Sequence, residues 1–358
     1  MLFTTLATPS LQLKNRIVMA PLTRSRATQD NIPTALMAEY YGQRATAGLI
    51  ITEGTSPSPN GLGYPRIPGL FNAAQVAGWK LVTDAVHTKG GKIFVQLMHT
   101  GRVTHLANLP AGAEVLGPSA DLCPGEMFTD SQGMQPHSTP REMTQADIAA
   151  TIDEYVQSAR LAIEAGFDGV ELHAANGYLI EQFLNANVNK RTDGYGGSSE
   201  GRNRFALEIA RATVAAIGAD KVGIRMSPYG VLGGTGTFPE VDTQYIALTE
   251  ALSTLGLAYI HVLDHSAMGT PPVPEEIKKA LRTAFKGTFI LAGGFDHITA
   301  EAALTDGRAD LIAFGRASIA NPDLVVRMKS GAPLNELDMS TFYTPGSAGY
   351  TDYPMLRD

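Results

Sequence analysis

Apolar positions along the chain fall into two alternating patterns. Short runs that are almost wholly apolar and rich in Val, Ile, Leu and Phe predict strands at Arg16–Met19, Leu49–Thr52, Lys92–Leu97, Gly169–His173, Val222–Ser227, Tyr259–Val262, Thr288–Leu291 and Leu311–Phe314. Longer stretches between them repeat apolar residues every three or four positions. They predict helices at Thr34–Thr46, Ala73–Thr88, Gln145–Ala165, Arg202–Ile217, Val241–Leu255, Glu275–Ala284 and Thr299–Asp306. Strands separated by helices form parallel βαβ units, and eight is the number that closes a (β/α)₈ barrel of the TIM type. The expected fold class is therefore α/β.

Local signals sharpen the helix ends. Thr144 stands at an N-cap with Asp147 three residues on, and Gly166 stops the same helix just before a strand. Lys89-Gly90-Gly91 ends another. Residues 98–141 break the alternation. They are rich in Gly, Pro, Ser and Thr, lack a sustained period, and predict a loop or cap inserted after strand three. A second irregular stretch, 188–201, follows strand four.

Of the 358 residues, 44% are hydrophobic and 18% charged, ordinary for a globular protein, and the length alone admits one large domain as readily as two; a single barrel makes the expectation one domain spanning 1–358. A net charge of −7 argues against nucleic acid as a partner. Cys123 is the single cysteine, so an internal disulfide and a multi-thiolate metal or iron–sulfur site are excluded. No apolar run approaches the ~20 residues of a membrane span, and the first residues lack the pattern of a secretory signal. The expectation is a cytoplasmic protein with no membrane partner.

A barrel of this kind places its active site at the C-terminal ends of the strands. The polar residues there are Thr23, Glu53, Gln96, His173 and Arg225, followed by Gly293-Gly294 after strand seven and Gly315-Arg316 after strand eight. Any one alone reads more readily as a buried structural residue; together they point to one site. The paired glycine loops, one ending in Arg316, suit a phosphate, because glycine lets backbone N–H groups approach the anion. His173 and Asn176 can aim donors at one substrate oxygen. Tyr178, with an ordinary phenol pKa near ~10, can give a proton at neutral pH. No metal is expected: His99 and His105 form no ligand signature.

Several runs resemble the old yellow enzyme family: Asn15–Arg24, Tyr40–Ala45, Gln96–Arg102, His173–Leu184, Arg191–Ser198 and Gly349–Pro354. The resemblance covers nearly the whole chain. It is similar in particular to bacterial N-ethylmaleimide and nitrate-ester reductases. It implies non-covalent FMN at the C-terminal face, with Pro21, Leu22, Thr23 and Gly54 along the ring. Gln96 and Arg225 would meet its pyrimidine edge, and Gly293, Gly294, Gly315 and Arg316 its phosphate. His173 and Asn176 would bind the carbonyl or nitro oxygen, with Tyr64, Met98 and Tyr343 lining the pocket. The implied reaction is ping-pong: NADPH or NADH reduces the flavin, which reduces the C=C bond of a small activated alkene while Tyr178 supplies the proton. Nitrate esters are a further implied substrate. Met98 departs from the family's usual large indole, and the loop 261–274 matches poorly, so no role is carried onto it. The rivals are a barrel lyase or isomerase acting on a phosphorylated substrate, and a flavin-binding scaffold without turnover.

Overall fold

The computed structural model describes residues 1–356. The barrel strands are β1 (Ile17–Met19), β2 (Leu49–Thr55), β3 (Ile93–Leu97), β4 (Gly169–Ala174), β5 (Val222–Met226), β6 (Tyr259–Leu263), β7 (Thr288–Ala292) and β8 (Leu311–Phe314). Neighbours pair in parallel in chain order, and β8 pairs with β1 through Ile312 opposite Ile17 and Phe314 opposite Met19, so the sheet closes. No edge is left unpaired.

The strands read as continuous apolar runs because both faces are covered. One set of alternate residues, including Val18, Leu49, Ile51, Phe94, Tyr259, Ile290 and Leu311, packs together inside the barrel. The other set, including Ile17, Ile50, Val95, Leu172, Ile224 and Ile312, packs with the surrounding helices. Tight filling of the interior explains Gly223, where an added Cβ would lie 2.3 Å from the Tyr259 ring. The N-terminal pair Leu6–Ala7 and Gln12–Leu13 joins the interior cluster through Leu6, Leu11 and Leu13 and plugs the barrel's N-terminal end.

The predicted helices form at Ala35–Gln43, Ala73–His87, Gln145–Glu164, Ser199–Ile217, Val241–Thr254, Glu275–Ala284 and His297–Thr305. The Thr144–Asp147 capping box is complete. Three short helices, Leu179–Leu184, Arg316–Ala320 and Leu324–Ser330, lacked the length to show a period in the sequence. Residues 98–141 are more ordered than their composition suggests. Glu126–Thr129 and Gly133–Pro136 form an antiparallel hairpin, and Leu116–Gly117 pairs in parallel with Arg141–Glu142. Arg102 fastens this excursion to the barrel top, pairing with Asp121 at 2.6 Å and donating to the Gly233 carbonyl at 2.9 Å. Among the described residues, no helix is long and apolar enough to cross a membrane.

Candidate active site

A cavity of about 510 Å³ opens at the C-terminal ends of the strands. That is within the ~300–1,000 Å³ typical of cofactor and ligand sites. Pro21, Leu22 and Thr23 enter it after β1, Gly54 from β2, Gln96 and Met98 from the end of β3, and Arg225 from β5. His173, Asn176 and Tyr178 come from β4 and the turn after it. Gly293, Gly294, Gly315 and Arg316 line the opposite side, and Tyr343 reaches in from the C-terminal segment. Tyr64 instead lines an adjoining cavity of about 720 Å³, which shares Thr23, Asn176, Tyr178 and Tyr343 with the first. The cap hairpin contributes Met127, Phe128 and Met134 to that second chamber.

Glu53 is not brought into the site. It is buried, accepting from the Arg24 backbone N–H at 3.1 Å and the Tyr41 hydroxyl at 3.3 Å, and burial raises its pKa to about 7. A bulge explains the departure: Ile51 pairs with Phe94 but Gly54 with Gln96, three steps on β2 against two on β3. Gly54 thereby takes the inward position that strict alternation would assign to Glu53. A side chain there would collide with Met98, since a Cβ would lie 2.4 Å from its Sδ.

Beneath the cavity lies a buried polar layer. Gln96 Nε2 donates to Glu171 Oε1 at 2.7 Å, and His261 Nδ1 donates to Glu171 Oε2 at 2.9 Å. Arg225 is paired in register with both His173 and His261. Its guanidinium is buried, which lowers its pKa, with Glu171 opposing that shift. Its Nε has no hydrogen-bond partner among the described residues. A buried cation with an unused donor at a cavity floor is prepared for an acceptor-bearing ligand.

The wall formed by β4 is more detailed. The Ala175 backbone N–H donates to His173 Nδ1 at 3.3 Å, which leaves the ring proton on Nε2. Burial first, then the Arg225 charge, holds the His173 pKa well below its ordinary value, so the ring is neutral. Asn176 Nδ2 lies 3.4 Å from His173 Nε2. Asn176 itself has φ +61°, a left-handed conformation that asparagine tolerates better than most residues. Its backbone N–H donates to Ser227 Oγ at 3.0 Å, and Ser227 donates to Glu181 at 2.8 Å. Glu181 also accepts the Gly177 N–H at 2.6 Å. At Gly177, φ is +76° and a Cβ would lie 2.3 Å from the Leu232 carbonyl, so only glycine fits. Glu181 and Ser227 thus build the turn that carries the site, and sequence reasoning missed both.

Tyr178 stands edge-on to His173, with ring centroids 4.9 Å apart and planes at 86°. Its hydroxyl bonds that of Tyr64 at 3.2 Å. Burial pushes the Tyr178 phenol up to about 12, the Tyr64 hydrogen bond working the other way. On the far side, Gly293 (φ +131°) and Gly294 (φ +68°) adopt glycine conformations against the loop after β6, and Gly315 opens the Arg316–Ala320 helix with no side-chain cap. The next helix to start nearby, His297–Thr305, is already closed by the Asp296 capping box. The start at Gly315 lacks such a cap, so no side chain of its own N-cap residue takes up its first N–H groups.

Residues 1–335 match the model of the NADH:flavin oxidoreductase / NADH oxidase family. The chain belongs to the old yellow enzyme family. Among its relatives is 12-oxophytodienoate reductase 7 of Oryza sativa subsp. japonica, 41% identical over 99% of this chain and 94% of that protein. A probable flavin mononucleotide-dependent alkene reductase of Leishmania infantum is 42% identical over 96% and 94%. The structure of morphinone reductase in complex with tetrahydroNAD superposes with a TM-score of 0.94 at 46% identity, covering 100% of this chain and 98% of that one. The old yellow enzyme homologue of Zymomonas mobilis superposes with a TM-score of 0.95 at 41% identity, covering 99% of each chain. This old yellow enzyme is therefore a flavin oxidoreductase on a closed (β/α)₈ barrel, which decides against the lyase and isomerase reading.

Proposed function

We propose that the protein is an FMN-dependent ene-reductase, driven by NADPH or NADH and acting on small α,β-unsaturated carbonyl and nitro compounds, nitrate esters being within the same chemistry. The observation that carries this reading is the pair of neutral donors, His173 Nε2–H and the Asn176 amide, 3.4 Å apart beside a protonated phenol. Such a pair has no use for each other and converges on an acceptor oxygen supplied by a ligand.

The remaining walls fit FMN. The buried Arg225 with its unpartnered Nε, next to Gln96, matches the acceptors of a flavin pyrimidine edge. Thr23, Pro21, Leu22 and Gly54 give a flat, mostly apolar flank, and Gly293, Gly294, Gly315 and Arg316 make a phosphate cradle. When bound, FMN supplies hydride transfer from the nicotinamide to the alkene. The protein's own part is to polarise and protonate. His173 and Asn176 stabilise negative charge on the carbonyl or nitro oxygen, and Tyr178 holds the proton that reaches the α-carbon. In this reading residues 1–358 act as one FMN-binding domain with 98–141 as its cap, and Tyr64, Met98 and Tyr343 shape the substrate space.

The protein as purified is expected to carry one FMN per chain, released by denaturation, and to consume NADPH or NADH when cyclohexenone is added. Recovery of FAD, or failure to take up FMN on reconstitution, overturns the cofactor assignment. Flavin binding without enone-dependent turnover leaves the scaffold reading standing instead.

Met98 yields a separate prediction. It is buried among Leu62, Ile67, Tyr64 and Tyr178 and lines the cavity beside Gly54. An unbranched thioether adapts to varied shapes. Met98→Trp is expected to lower kcat/KM for bulky substituted enones roughly 10-fold more than for cyclohexenone, or to change product handedness. Paired kinetics and chiral chromatography check this; identical ranking and enantiomeric excess would remove Met98 from specificity.

A further inference from the structure

The loop after β6 places a second histidine against the substrate wall. His265 is buried, lines the cavity, and its Nε2 lies 2.7 Å from Asn176 Oδ1. An amide oxygen only accepts, so the proton of this bond belongs to His265. Burial, and then the Arg225 charge, push the His265 pKa down to about 4, so the ring is neutral at neutral pH and carries one N–H.

Where that proton sits matters because the two ends of an amide have nearly the same shape. Packing alone does not decide which end of Asn176 faces His173. With the oxygen turned the other way, it would accept from His173 Nε2–H while the amide N–H turned toward His265, and neither donor would be left for the cavity. With Nε2–H of His265 holding the oxygen, Asn176 presents N–H to the cavity, and His173 keeps its own N–H free.

The loop is built to hold His265 in place. Asp264 Oδ1 accepts the Ser266 N–H at 2.9 Å, and its Oδ2 accepts the Val273 N–H at 3.2 Å and pairs with Lys278 Nζ at 2.8 Å. The Asp264 N–H donates to the Ala292 carbonyl at 2.9 Å, which ties the loop to β7.

We infer that His265 is a positioning residue that locks the Asn176 amide with its nitrogen toward the substrate, making this wall donor-only and selective for ligands that offer an acceptor oxygen. The inference rests on the reading that His173 and Asn176 receive that oxygen.

A double-mutant cycle on the FMN-loaded enzyme tests it, with p-chlorophenol binding read from the visible flavin spectrum and KM and kcat measured for cyclohexenone. His265→Leu is expected to weaken p-chlorophenol binding roughly 3- to 10-fold, the worth of one hydrogen bond. His265→Gln, which keeps an N–H donor, is expected to retain most of the affinity. In an Asn176→Ala background, His265→Leu is expected to change nothing further, because its target is gone. Losses that add in the double variant, or wild-type affinity in His265→Leu, overturn the inference. If His265→Leu fails to fold, His265→Ala serves in both backgrounds with the same criteria. Should Asn176→Ala alone leave p-chlorophenol binding unchanged, the substrate-wall reading itself fails, and this inference with it.

Discussion

In Tyr178→Phe, reduction of the enzyme by NADPH or NADH proceeds as in wild type, while cyclohexenone reduction slows by about 10²–10⁴, the usual span for a lost general acid. The asymmetry follows from what the phenol touches. Among the described residues its hydroxyl bonds only that of Tyr64, and its ring packs T-shaped against His173, so deleting the oxygen leaves the packing and the neutral imidazole in place. Hydride acceptance from a nicotinamide requires no proton from this residue. The second half-reaction does, and a phenol pushed up to about 12 keeps that proton throughout the ordinary pH range. The wild-type oxidative rate should therefore stay level from pH 7 to pH 10 as far as this group is concerned, and fall only as pH rises toward the raised pKa. Nitro-alkenes should suffer less from Tyr178→Phe, since their stabilised anion can wait for solvent. Separate stopped-flow measurement of the two half-reactions decides; an unchanged enone rate would take Tyr178 out of the chemistry.

The other large effect is expected at the donor pair. His173→Ala or Asn176→Ala should reduce cyclohexenone turnover by about 10²–10³, the typical cost of one oxyanion donor, with the partner donor softening each single loss. Flavin content should not change, because Gln96, Glu171 and His261, in the polar layer that faces the proposed pyrimidine edge, are linked by their own hydrogen bonds, and Arg225 is buried beside them. Flavin stoichiometry, p-chlorophenol affinity and steady-state rates measured together separate these effects. Normal cyclohexenone kinetics in both variants would show that the substrate oxygen binds elsewhere.

The barrel was legible in the sequence because its signals are local. Strands buried on both faces are short apolar runs, helices between them repeat at three and four, and Thr144 and Gly166 mark ends within one turn. Once eight such units are counted, closure places the strand ends together, which is why Thr23, Gln96, His173, Arg225, Gly293 and Arg316 meet in one cavity although they span most of the chain. What needed the tertiary structure was everything set by register and by contact across distant segments. Glu53 lies at a strand end like the others, but a bulge, invisible to a strict period of two, gives the inward position to Gly54. Residues 126–136 form a hairpin whose four-residue strands are too short for a detectable pattern. Glu181 shapes the Asn176 turn through Gly177 nearby and Ser227 far along the chain, and His265 reaches Asn176 across 89 positions from a loop with no recognisable motif. Hydrophobic periodicity records which face of an element is buried. It carries no record of which polar group another element will place beside it, because that depends on how the closed barrel brings the loops together.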